Sequence, residues 1–170
     1  MLLAIWQTQR LTREIHDLER QAMEKQIQLM QYQKYAGMLG GSSIINIGNI
    51  AGLSSELIPR ASIFAQFSNQ ASSMSAMQNL QLMKAQGMVP VTGNPMTQMQ
   101  IEMSAFNRFK MEALKALKQQ EAAVLGEKEK EIQLELNSIN TRLTMKREEL
   151  KQYKELVAND AREAAPKFGL

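Results

Sequence analysis

From Leu11 onward the apolar positions Leu11, Ile15, Leu18, Ala22, Leu29, Tyr32 and Ala36, with Lys25 at one place in the series, follow alternating spacings of four and three. That rhythm draws one stripe along a helix and calls for a facing helix. A second series has the same spacing: Ile132, Leu136, Ile139, Leu143, Lys146, Leu150, Tyr153 and Val157. The two series are expected to form heptad interfaces. They are offset by a constant 121 residues, at which Glu14 matches Glu135, Lys25 matches Lys146, Leu29 matches Leu150, Gln31 matches Gln152 and Tyr32 matches Tyr153. Two heptad helices of similar composition echo each other in this way, and so does an internal duplication. A lysine in an apolar seam packs its stem and must bring its head to water or a glutamate. Lys25 and Lys146 therefore either fix register and oligomeric state or mark places where the seam widens toward solvent.

The polar face of the first helix carries Arg10, Arg13, Glu14, Asp17, Glu19, Arg20 and Glu24, with Arg13 to Asp17 and Arg20 to Glu24 as i,i+4 pairs on a solvated face. Gly37, followed by Gly40 and Gly41, is expected to end that helix near residue 36. A final helix is expected from residue 95, with Asn94 as N-cap, Pro95 at the first helical position and Thr97 to Gln100 spaced as a capping box. No proline follows until Pro166, so about 65 residues can be helical, roughly 95 Å in length. Gly126 is a candidate bend. Glu127, Lys128, Glu129, Lys130 and Glu131 alternate in sign, as a solvated helix does.

Between the two heptad segments the charge almost vanishes: from residue 37 to 107 only Glu56, Arg60, Lys84 and Glu102 are charged. This stretch is expected to hold a short helix near 43–57, a helix over about 60–86 and a loop over 86–95. Ile44, Ile45, Ile47, Gly48, Ile50, Gly52, Phe64, Phe67, Met74 and Met77 are its candidate packing interface. The pairs Gly37/Gly41 and Gly48/Gly52 have GxxxG spacing, which suggests close approach of a backbone or helix. As a membrane span, residues 36–55 have suitable length, but six of the twenty are Ser or Asn and five are Gly. About six Ile and Leu residues favour insertion by a total of roughly 3 kcal/mol, which the polar residues can cancel. A stable span is therefore not expected.

Abundant Gln, Glu, Lys, Leu and Ala with only 5% aromatics make the chain all-α. The expected architecture is an elongated antiparallel bundle, one domain in which terminal heptad helices over 1–36 and 95–165 flank a charge-poor region over 37–94. A net charge of +3 on 37 charged side chains gives no basic face for nucleic acid. There is no cysteine, which excludes disulfides and thiolate metal sites. The only histidine, His16, is read as a surface partner of Asp17, and no catalytic triad, metal-ligand spacing or phosphate loop is present. The expectation is a protein that is not an enzyme and takes no cofactor. Methionines, thirteen in all, concentrate between 74 and 111, including Met96, Met99 and Met103. They read first as filling of a helical interface, and otherwise as an adaptable groove for a client helix or as a thioether copper site.

The segment MLLAIWQTQR has six apolar residues and no basic residue ahead of them, unlike a secretory signal. A cytoplasmic location or export by a signal-independent route is expected. In layout, heptad helices around a charge-poor centre without cysteine, the chain resembles the axial proteins of flagellar and type III secretion systems and the helical minor pilus subunits of conjugation systems. The resemblance implies a self-assembling subunit of a filament, secretion-related or surface structure. Its expected partner is the chain itself, with other assembly subunits beside it. A chaperone or adaptor using the methionine surface, and a membrane-active effector using residues 37–53, are the alternatives.

Overall fold

The computed structural model describes residues 2–41 and 47–164, and among these every regular element is an α-helix. The helices are α1 (Leu2–Leu39), α2 (Ile47–Ile50), α3 (Leu57–Ala85) and α4 (Pro95–Ala164). The chain forms two compact units, one of residues 1–30 with 129–170, the other of residues 31–128.

In the first unit, α1 and α4 pack antiparallel. Leu18, Ile139 and Leu143 form a buried cluster with Ala22 against it. Leu11, Ile15 and Ile132 are also buried, and Lys25, Leu29, Leu136, Lys146, Leu150, Tyr153 and Val157 are half-buried. The lysine heads in the seam reach glutamates of the facing helix. Lys25 pairs with Glu135, and Lys146 lies 3.2 Å from Glu14 and 2.9 Å from Glu149. The polar face of α1 is thus only partly a solvated face, because Glu19 also accepts from Arg147 across the helices at 2.6 Å. Within α1 the near pairs differ from the expected ones: Arg10 binds Glu14, Arg20 reaches back to Asp17, and His16 lies 3.4 Å from Glu19. On a helix the i+3 neighbour is as close as the i+4 one.

In the second unit, the core gathers Tyr35, Leu39, Ile50, Leu53, Leu57, Ala61 and Leu125, with Tyr32 and Phe64 packed against it. Here the buried face of α1 moves from the heptad positions 32 and 36 to Tyr35 and Leu39, because α1 now meets residues of α2, α3 and α4 at once. Helix α1 also runs past Gly37, which adopts no left-handed conformation, and ends at Leu39 with the Gly40 amide donating to Ala36. The short helix expected near 43–57 is four residues long. The next helix opens three residues earlier than expected, at Leu57.

The turn between α3 and α4 is chemically specified at both ends. Gly87, at φ 70°, is the one described residue with a left-handed backbone, and the Met88 amide donates to Met83 while that of Gly87 donates to Lys84. This is a glycine-centred helix stop that satisfies the last carbonyls of α3. At the start of α4 the Asn94 side chain accepts from the Met96 amide at 3.0 Å, with Pro95 at the first helical position. The capping box expected at Thr97 and Gln100 is absent. Instead, Gln98 accepts from the Thr92 amide at 3.0 Å and folds the loop back on the helix.

Helix α4 continues through Gly126 as one assigned helix, and nothing lies within 4 Å of where a Cβ would stand. A glycine in a helix interior with room for a methyl costs about 1 kcal/mol relative to alanine. Gly126→Ala is therefore expected to raise the unfolding free energy by about that amount in urea denaturation. A loss of stability would mean that α4 requires the glycine.

Candidate functional site

The charge-poor helix α3 is built inside out. Its buried positions are Leu57, Ala61, Ser68, Ser72 and Ala76, all but the first small. At 100° per residue these lie on one face, and Ile63, Phe67, Met74 and Met77 lie on the opposite one. Those four side chains are 57–67% exposed. Small side chains let α3 approach its neighbour closely, and the hydroxyls of Ser68 and Ser72 donate to the carbonyls of Ala65 and Asn69 one turn back. Burial of these serines therefore leaves no hydroxyl unsatisfied, and the larger apolar residues are left facing outward.

Ion pairs hold α3 against α4. Arg60 donates to both Glu121 oxygens, at 2.6 and 3.0 Å, and Lys84 binds Glu102 at 2.5 Å. The Tyr35 hydroxyl from α1 donates to the same Glu121 at 3.1 Å, so one carboxylate joins three helices. Burial, and then the Glu121 charge and hydrogen bond, push the Tyr35 hydroxyl far above the ordinary tyrosine range. Arg60 is held charged mainly by its hydrogen bonds to Glu121. The sequence reading missed this junction. Its signal was Arg60, one of only four charges in seventy-one residues and therefore in need of a specific partner.

The predicted central interface is divided by the structure. Ile50 is 2% exposed in the core, Phe64 is half-buried, and Phe67, Met74 and Met77 face outward. Ile44 and Ile45 lie outside the described residues, and the side chain of Ile47 is likewise not described. Gly37 and Gly48 do not mark helix contact. A Cβ on Gly37 or Gly48 would meet nothing within 4 Å, and on Gly52 it would meet the Lys34 ammonium, which donates to the Gly52 carbonyl at 2.7 Å.

A groove of about 580 Å³ lies where the end of α1 meets α4, with Ala36, Leu39, Met111, Leu114 and Ala122 among its lining. Lys118 on this wall is buried and donates to the Gly41 carbonyl at 2.6 Å, and burial lowers its pKa. Nearer the start of α4, Met96, Met99 and Met103 are 56–74% exposed. Among the described residues no group of three or more His, Cys, Asp or Glu side chains could hold a metal ion. No described helix is long and apolar enough to cross a membrane. Compared with protein-family models, curated proteins and solved structures, the chain gives no match.

Proposed function

We propose that this chain is a non-enzymatic structural subunit that assembles with further copies of itself through helical packing, as part of a filament, a secretion-related structure or a surface structure. The observation that carries the reading is the outward face of α3, where Ile63, Phe67, Met74 and Met77 stand exposed on a helix whose small residues already fill the inner side. No charged residue interrupts α3 between Arg60 and Lys84. An uncharged and largely apolar face of this kind, interrupted by Gln70, marks a protein contact. Light scattering over a concentration series is expected to show oligomers that grow with concentration, with electron microscopy giving their form. A Phe67→Glu/Met74→Glu variant is expected to lose the growth into larger oligomers while keeping its helical circular dichroism. A compact wild-type monomer at high concentration would overturn the reading.

A second reading, an adaptor that holds a client helix, draws support from the groove beside Met111 and Leu114. It predicts a small oligomer of fixed size, insensitive to the Phe67 and Met74 changes, that binds an amphipathic helical peptide of unrelated sequence.

A further inference from the structure

The ion pairs of the first unit have a symmetry that a helix pair does not require. The 121-residue offset carries Lys25 onto Lys146 and Glu14 onto Glu135. Applied to the pair Lys25 with Glu135, and reversed for the glutamate, it gives the other observed pair, Lys146 with Glu14. The apolar centre obeys the same operation. Leu18 is carried onto Ile139 and Ala22 onto Leu143, and these four residues are the buried cluster and its neighbour. Each helix thus has a glutamate eleven residues ahead of a seam lysine, and each supplies both halves of the lock.

We propose that this code is palindromic and serves a second copy of this chain: the α4 segment over 129–153 pairs antiparallel with the same segment of another copy. In that register Lys146 of each copy meets Glu135 of the other. Ile139 then faces Leu143, which takes the place of the smaller Ala22 of the folded chain, and Ile132 faces Leu150. A parallel, in-register pair would oppose Lys146 to Lys146 and Glu135 to Glu135, so the charges select the antiparallel arrangement. Within one molecule α1 occupies the same seam and competes at a high effective concentration. Homotypic pairing therefore rises with protein concentration, and α1 acts as its internal cap. The inference rests on the self-assembly reading and names one of its contacts.

The test reverses the charges on α4 alone, in the full chain. In a Glu135→Lys/Lys146→Glu variant both ion pairs to α1 become like-charge contacts, whereas two α4 segments still match each other. The dimer is expected to form at about tenfold lower concentration than in wild type, given two exposed pairs at up to about 1 kcal/mol each. Adding Glu14→Lys and Lys25→Glu restores the match to α1 and is expected to return dimerisation to the wild-type level, which also reports on folding. The cysteine-free chain allows a second readout, in which an Ile139→Cys protein mixed with a Leu143→Cys protein gives a disulfide-linked dimer on oxidation. A charge-reversed variant that dimerises no better than wild type, or the absence of that cross-link, overturns the proposal. Oligomers that persist in wild type in that event leave the α3 reading standing. A wild type that forms dimers and nothing larger, beside the cross-linked pair, overturns the α3 reading and supports the palindrome.

Discussion

Glu121→Ala is expected to destabilise the protein by about 2–4 kcal/mol in chemical denaturation, more than loss of any exposed ion pair. The carboxylate accepts from Arg60 twice and from Tyr35 once, and Tyr35 is fully buried. Its removal leaves a tyrosine hydroxyl without its partner inside the core and a guanidinium at the rim without its counter-charge. The Arg60 side chain is 37% exposed, and water recovers part of its loss, which keeps the cost below that of a fully buried pair. Tyr35→Phe, Arg60→Met and Glu121→Leu together are expected to regain most of the stability, since the apolar set strands neither a charge nor a hydroxyl. A Glu121→Ala protein within about 0.5 kcal/mol of wild type would show that the junction does not hold the three helices.

The same junction gives the protein an alkaline limit. Below the ordinary tyrosine range Tyr35 is protonated in both folded and unfolded chains, and its contribution is fully present. Above pH of about 10 the unfolded chain ionises there while the native one keeps its proton, because its pKa is raised by burial and by Glu121. Stability then falls as pH climbs, and Tyr35→Phe is expected to remove that part of the slope in urea titrations above pH 10.

The second large effect runs against a simple reading of hydrophobicity. Ser72→Leu, a change toward a better helix former, is expected to cost at least about 1–3 kcal/mol, because Ser72 is 0% exposed on the close-packed side of α3. Phe67→Ala, the loss of an aromatic ring, is expected to change monomer stability by less than about 0.5 kcal/mol, because the ring faces outward. The pair is measured by thermal or urea unfolding at dilution sufficient to suppress association. If Phe67→Ala proves the more damaging, α3 is not inverted in solution.

Periodicity carried far in the paired helices. The heptad positions from Ile132 to Val157 are buried or half-buried, and among the other described side chains from residue 130 onward all are exposed. A two-helix contact buries one stripe, and a stripe is a property of spacing alone. The loop chemistry at Asn94 and Pro95 was legible for a similar reason, since caps depend on residues adjacent in the chain. Where three helices meet, spacing ceased to suffice: Tyr35 and Leu39 replaced the heptad positions, and on α3 the large residues and the small ones exchanged the sides that hydrophobicity alone assigns them.

By itself, then, the amino-acid sequence determined that the chain is helical, where its final helix begins, and which stripe of each terminal segment seeks a partner, because these follow from contacts within a few residues. Only the tertiary structure decided which glutamate each seam lysine meets, that Glu121 joins Tyr35 to Arg60, and that Phe67 and Met74 face outward. Those outcomes depend on side chains up to 86 residues apart in the junction and 132 in the helix pair, whose meeting is set by the packing distance between helices and not by any local preference.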